Sequence, residues 1–399
     1  MSNTFVEPWT EARVQDIASG APRSIAIGPF GSRLKAELYV TNGFPVIRGQ
    51  DIGPGKALLE EKLVYVPEAV AESLPGCVVG EGDLIFPHRG AIGQVGIVGQ
   101  RQFLLSSSMM KLTCNRALID PGFLFYYFRG PGRDELLTRA STVGTPGIGQ
   151  PLKSLRGIPI RYPGLPQQRA IAEVLGALDD KIAANTKLAE TADALSQAVF
   201  RSIAGEVTSV PLSTTARFVN GRAFTKGASG AGRVVIRIAE LNSGLGGSTV
   251  FSDAEVSDDF LARPGDILFA WSGSLTLHRW FRSEAIVNQH IFKVIPNGHP
   301  SWLVYELLRD RLTYFKGIAA DKATTMGHIQ RGHLDELVGV PSSPSIDRVD
   351  ELMASLWDRA LLAERENETL AATRDALLPQ LMSGKLRVRD AEKTVEAVV

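Results

Sequence analysis

The 399-residue chain has little cysteine, few aromatic residues (7%) and no net charge, with 43 Lys+Arg against 43 Asp+Glu. Its two cysteines, Cys77 and Cys114, lie in no Cys-x-x-Cys or Cys/His cluster. A disulfide framework and a structural zinc site are therefore excluded, and both thiols are expected to be buried apolar groups. No apolar run approaches the roughly 18 residues that a membrane helix needs. The start, Met1-Ser2-Asn3-Thr4, lacks the charged-then-apolar order of a secretory leader, so a cytoplasmic protein without a membrane partner is expected. There is no GxxxxGK[ST] phosphate loop, no HExxH and no Asp/Asn-Pro-Pro-aromatic motif. The histidines, His88, His278, His290, His299, His328 and His333, show no ligand or triad spacing. Asp83 and Asp266 each follow Gly before an apolar strand, an arrangement that makes a turn and not a metal site. A binding module fits better than an enzyme.

What the chain does have is a repeat. Leu175, Leu178, Ile182, Asn185, Ala189, Ala192, Ser196 and Val199 follow alternating three- and four-residue steps. Adding 178 to each gives Met353, Leu356, Ala360, Ala363, Asn367, Leu370, Arg374 and Leu377. Upstream, Val46-Ile47-Arg48 matches Val235-Ile236-Arg237, and Gly82-Asp83-Leu84-Ile85-Phe86 matches Gly265-Asp266-Ile267-Leu268-Phe269. Pro121 to Tyr126 parallels Pro300 to Tyr305, and Leu152, Leu155, Ile158 and Pro159 parallel Leu334, Leu337, Val340 and Pro341. The offset drifts between 178 and 189, so the framework is shared while loop lengths differ.

Prolines before each heptad run, Pro159 to Pro166 and Pro341 to Pro344, separate a globular half from a helix. We place a first head at 1–164, a helix at 165–205, a second head at 206–343, a helix at 344–384 and a tail at 385–399, with only the ends reading as disordered. The expected fold class is α+β: two similar mixed α/β heads separated by two long helices that form an antiparallel coiled coil. Expected strands include Ala57 to Val66 and Ile286 to Ile295, and short helices Phe123 to Arg129 and Leu303 to Arg311. The helices need a partner for their seam of Leu175, Leu178, Ile182, Asn185, Leu356, Ala360, Asn367, Leu370 and Leu377, and the nearest is each other. The other arrangement has each helix packing only on its own head. Asn185, Ser196, Asn367 and Arg374 are polar seam positions that set register or meet a partner subunit. Charge is mildly basic in the heads, 17 Lys+Arg against 14 Asp+Glu over 1–163 and 14 against 12 over 207–343.

With these motifs in this order, the chain resembles the specificity (S) subunit of type I restriction-modification enzymes. The resemblance is carried by Gly28-Pro29-Phe30-Gly31-Ser32-Arg33-Leu34-Lys35, Gly43 to Ile52, Gly82 to Phe86 with Gly90-Ala91-Ile92-Gly93, and Leu165-Pro166-Gln167-Gln168-Arg169-Ala170-Ile171. In the second half it is carried by Asn220 to Phe224, Val235 to Ile238, Gly265 to Phe269 and Arg374 to Gly384. Gln167 stands where the family usually has Glu, and no Pro-Glu-Gln motif precedes the second helix. The resemblance implies two target recognition domains, each reading half of a bipartite duplex DNA sequence, and a helical spacer docking two methyltransferase (modification) subunits. It implies no cofactor and no catalysis in this chain. S-adenosylmethionine, ATP and Mg belong to partner modification and restriction/translocase subunits. Thirty-eight helical residues span about 57 Å, which permits half-sites up to about 17 base pairs apart.

Cations on Gly-rich loops suit phosphate, and forked or amide side chains suit base edges. For the first head these are Ser32, Arg33, Lys35, Gln50, Arg89, Thr145, Gln150 and Lys153; for the second, Arg222, Lys226, Arg279, Asn288, Gln289, Thr325, His328, Gln330 and Arg331. Arg48 and Arg237 hold matching places, either bonded within their folds or open to DNA. Trp271, Trp280 and Trp302 are expected in the core. The rival reading is a protein-interaction scaffold with two binding heads on a coiled-coil spacer, which the neutral total charge favours.

Overall fold

A computed structural model describes residues 9–30, 33–141, 146–321 and 327–399. The chain divides into two compact units, Met1–Ala183 with Thr369–Val399, and Ala184–Glu368. Each contains the same two four-stranded sheets. In the first unit, Ile25–Ile27, Met109–Leu112, Leu84–Pro87 and Gly96–Ile97 form one antiparallel sheet. Val64–Val66, Phe44–Ile47, Phe103–Leu105 and Val78–Val79 form the other, whose central pair, Val46 opposite Leu104, is parallel. The second unit repeats the order, with Ala216–Asn220, Ile291–Pro296, Ile267–Ala270 and Thr276–Arg279 in one sheet. Val250–Ser252, Arg233–Ile236, Ala285–Val287 and Leu261–Ala262 form its second sheet, with Val235 opposite Ile286 in parallel.

The recurring Gly-Asp pairs make turns. Asp83 Oδ2 accepts from Gly80 N at 3.0 Å and Asp266 Oδ2 from Arg263 N at 2.7 Å. The arginines of the repeat are bonded within their folds. Arg48 forks onto Asp51 and donates to Lys62 O at 2.6 Å; Arg237 forks onto Glu240 and donates to Ser248 O at 2.6 Å. Asp51 and Glu240 are buried, so each fork supplies the charged hydrogen bonds that replace the water lost around its carboxylate. Both cysteines are buried, and the Cys114 thiol is pushed up to about 11, chiefly by burial.

Three expectations need correction. Of Ala57 to Val66 only Val64–Val66 is strand, because its partner strand Phe44–Ile47 offers just three positions opposite it. The helix beginning near Leu303 runs Ser301–Asp321, longer than its polar residues suggest, because Phe315 and Ala319 are drawn into the core. The residues after 385 are not a loose tail: Val388–Glu396 is a helix whose Ala391 and Val395 join the core of the first unit.

The expected pairing of the long helices is borne out and extended. The long helices run Leu165–Ser202 and Ser343–Met382 and pack together. In the first unit, however, Leu175, Leu178, Leu370 and Leu377 belong to the same core as Phe125 and Tyr126 of the head, with Ile182 packed against it. In the second unit Leu356 packs against the head's core as well. The helices pair and also lie on their heads, so the two arrangements are not exclusive. Ala189, Ala192, Ala360 and Ala363 form a separate helix-to-helix cluster, where small side chains let backbones approach. Three of the four polar seam positions bond across the pair: Asn185 donates to Glu366 at 2.8 Å, Asn367 to Thr186 at 3.1 Å and, in the first unit, Arg374 to Asp179 at 2.6 Å.

Candidate nucleic-acid interface

In each unit the loops leaving the strands are tied into one frame. In the first, Gly28 N donates to Met109 O at 2.8 Å, His88 N to Ser108 O at 2.9 Å, Ser106 N to Ile47 O at 3.0 Å and Ile148 N to His88 O at 3.0 Å. The second repeats every bond: Gly221 N to Ile291 O at 3.0 Å, Trp271 N to His290 O at 3.1 Å, Asn288 N to Ile236 O at 3.2 Å and Ile329 N to Trp271 O at 3.0 Å. The frame demands glycine at its first position. A Cβ on Gly28 would lie 1.9 Å from Ser106 O, and one on Gly221 2.2 Å from Asn288 O.

In the first unit Gln50, Arg89 and Gln150 are all exposed, on segments next to the bonded frame. Arg89 bridges to Gly147, and Gln150 leads into the short helix Pro151–Arg156, on which Lys153 is exposed. Arg33 and Lys35 are also exposed, but they flank Leu34, which packs with Val46, Val66 and Leu104 on the other sheet. They neighbour the frame without being bonded into it. Gln168 of the Pro166-Gln167-Gln168 motif is buried, accepting from Asp120 N at 2.8 Å and donating to Pro163 O at 2.7 Å and Leu118 O at 3.1 Å. It ties head to helix.

In the second frame Arg222, Lys226, Gln289, Gln330 and Arg331 are exposed and His328 is half-buried. Arg222 lies over the Phe260 ring at 4.6 Å, which leaves its charge at the surface but restrains its arm. Two expected contacts are corrected. Arg279 is only 5% exposed and is paired with Asp193 at 3.2 Å and Glu364 at 3.1 Å on the long helices, with its guanidinium over Trp357. Asn288, also 5% exposed, accepts from Phe224 N at 3.1 Å. Both hold the fold. Ser32, Thr145 and Thr325 lie outside the described residues.

Sequence reasoning missed the aromatic part of the second frame. Trp280 and Trp302 are core residues, whereas Trp271 is half-buried at the core's edge, packed on Phe292 with its ring 5.8 Å away. Its indole N–H donates to Asn220 Oδ1 at 2.8 Å, and its ring lies 5.2 Å from His290 and 6.4 Å from His328. The available signal was position: Trp271 follows the Gly-Asp strand where the first half carries His88. Among the described residues no group of three or more His, Cys, Asp or Glu could hold a metal ion, and no helix is long and apolar enough to cross a membrane.

Residues 31–193 match the family model of the type I restriction modification DNA specificity domain. Over this segment the chain is similar to that domain. The whole chain is similar in fold to the crystal structure of a type I restriction-modification system S subunit from M. genitalium, at 14% identity and a TM-score of 0.59, over 96% of this chain and 97% of that one. Weaker likenesses reach the HsdS subunit from Thermoanaerobacter tengcongensis (15% identity, TM-score 0.35, 95% and 98% covered) and a structure described under complex assembly and conformational transition of the type I R-M system (16%, 0.38, 95% and 99%). No curated protein matches by sequence. The matched segment covers the first head from residue 31 and most of the first long helix, and the second head repeats the strand order of the first.

Proposed function

We propose that the chain is the specificity subunit of a type I restriction-modification system, in which each head reads one half of a bipartite duplex target. The observation that carries this is the loop frame built twice with matched backbone bonds, each edged by exposed cations and amides on the strand exits. Arg33, Lys35, Arg89, Lys153, Arg222, Lys226 and Arg331 contact phosphate; Gln50, Gln150, Gln289, His328 and Gln330 contact bases. The paired helices set the spacing and dock two modification subunits. The chain itself is non-catalytic; S-adenosylmethionine, ATP and Mg serve those subunits and the restriction/translocase subunits.

Sequencing methylated DNA from cells that produce this chain with its partners tests the reading. Exchanging residues 1–163 for another such head changes one half-site; a change in both halves contradicts independent reading. Replacing Arg33 and Lys35 by Ala lowers affinity and flattens the salt dependence, by about one unit of slope for each phosphate that is no longer neutralised. An unchanged slope removes them from the interface. Binding to a protein partner that survives high salt, with no DNA binding, favours the scaffold reading instead.

A further inference from the structure

The two loop frames share their backbone bonds and differ in every side chain at four matched positions. Ile27 opposite Met110 corresponds to Asn220 opposite Phe292. His88 corresponds to Trp271 and Ser108 to His290, through the bond between each pair. Gly147, bridged to Arg89, corresponds to His328, bridged to Ser272. In the first unit these positions are small or recessed: His88 is 4% exposed and Ser108 and Gly147 present little surface chemistry. In the second they build a cluster of one exposed amide and three half-buried rings.

The cluster is ordered by its own contacts. An indole N–H can only donate, so the Asn220 amide must turn its oxygen toward Trp271 and its NH2 group the other way, on an exposed residue. His290 has φ +74, a backbone region that non-glycine residues seldom occupy, and its carbonyl accepts from Trp271 N. Its Nδ1 is buried without a hydrogen-bond partner. Strain and an unpaired nitrogen are tolerated where they hold the Trp271 backbone and set the imidazole against its ring, 5.2 Å away and tilted by 53°.

We infer that Asn220, Trp271 and His328, positioned by His290, are the base-reading cluster of the second head. Asn220 offers a donor to an acceptor on a base edge, such as a purine N7, guanine O6 or thymine O4, while the rings of Trp271 and His328 supply an apolar flank. This rests on the reading of the chain as a DNA specificity subunit. The test is selection of duplexes from a randomised pool by the full chain and by Asn220→Ala, His328→Ala and Trp271→Phe, the last keeping the ring and losing the N–H. Thermal unfolding of each variant serves as the folding control. The expected result is that preference falls about tenfold at one or two base pairs within one half of the selected sequence. The other half and the slope of affinity against salt stay as they were. Folded variants that select the original sequence overturn the inference and leave DNA reading intact, and changes in both halves overturn the assignment to this head. If the unaltered chain selects no sequence, the DNA reading fails and this inference with it.

Discussion

The first unit joins head to helices around a buried carboxylate and the second around a buried arginine. In the first, Asp179 on a long helix accepts from Tyr126 at 2.8 Å and pairs with Arg129 of the head at 3.1 Å and Arg374 of the other helix at 2.6 Å. Burial, with Asp179 adding to it, pushes the Tyr126 hydroxyl far above its ordinary range. In the second, Arg279 of the head receives Asp193 and Glu364, one from each helix. Burial raises Glu364 despite the arginine beside it. The strand order was kept through the repeat while the polarity of the joint was inverted. Frame and joint are therefore separable: strand pairing fixes the first, and the second needs only that a buried charge finds partners on two other elements.

The largest effect that can break this comparison is the removal of each central group. Asp179→Ala strands two arginines and a tyrosine and is expected to cost about 3–5 kcal/mol. Arg279→Ala costs less, about 2–3 kcal/mol, because Asp193 and Glu364 retain 33% and 27% side-chain exposure and can rehydrate. Urea unfolding followed by hydrogen exchange separates the units; a loss from either variant that spreads equally over both would show that the joints are not independent. Next in size are the matched arginine forks. Arg48→Ala and Arg237→Ala each leave a buried carboxylate and are expected to cost about 2 kcal/mol apiece, with the salt slope of DNA binding unchanged. A difference above about 1 kcal/mol between them would mean that the forks are alike only in geometry.

The smallest effect is with pH. Burial lowers the imidazoles of His88 in the first unit and His278 in the second below their ordinary range. The unfolded chain takes up a proton more readily than the folded one, so this contribution is intact above the ordinary value of about 6.5 and is lost as pH falls. Urea midpoints are expected to drop between about pH 7.5 and about pH 5.5, by less than about 1 kcal/mol per histidine. His88→Gln should remove the first unit's share alone.

The duplication was legible because it lives in period and punctuation. The 178-residue offset, the prolines and the Gly-Asp turns each act over a few residues, and the helices at Leu165–Ser202 and Ser343–Met382 follow from them. Arg279 and Asn288 were not legible, because what buries them lies far along the chain: Glu364 for one and Phe224 for the other. The seam of Leu175 and Leu377 read as a coiled coil because heptads do not show whether a third surface closes over them. Trp271 read as core, and it does pack on Phe292, but nothing local shows that its other contacts are with Asn220, His290 and His328 at the surface.

The second unit is one unbroken stretch, Ala184–Glu368, whereas the first needs Thr369–Val399 as well as its own opening residues. As the chain leaves the ribosome, the later unit holds all its parts while the earlier one still waits for Leu377, Leu381 and Ala391 to close its core. The part made first is completed last, and until then its apolar face stays open to chaperones.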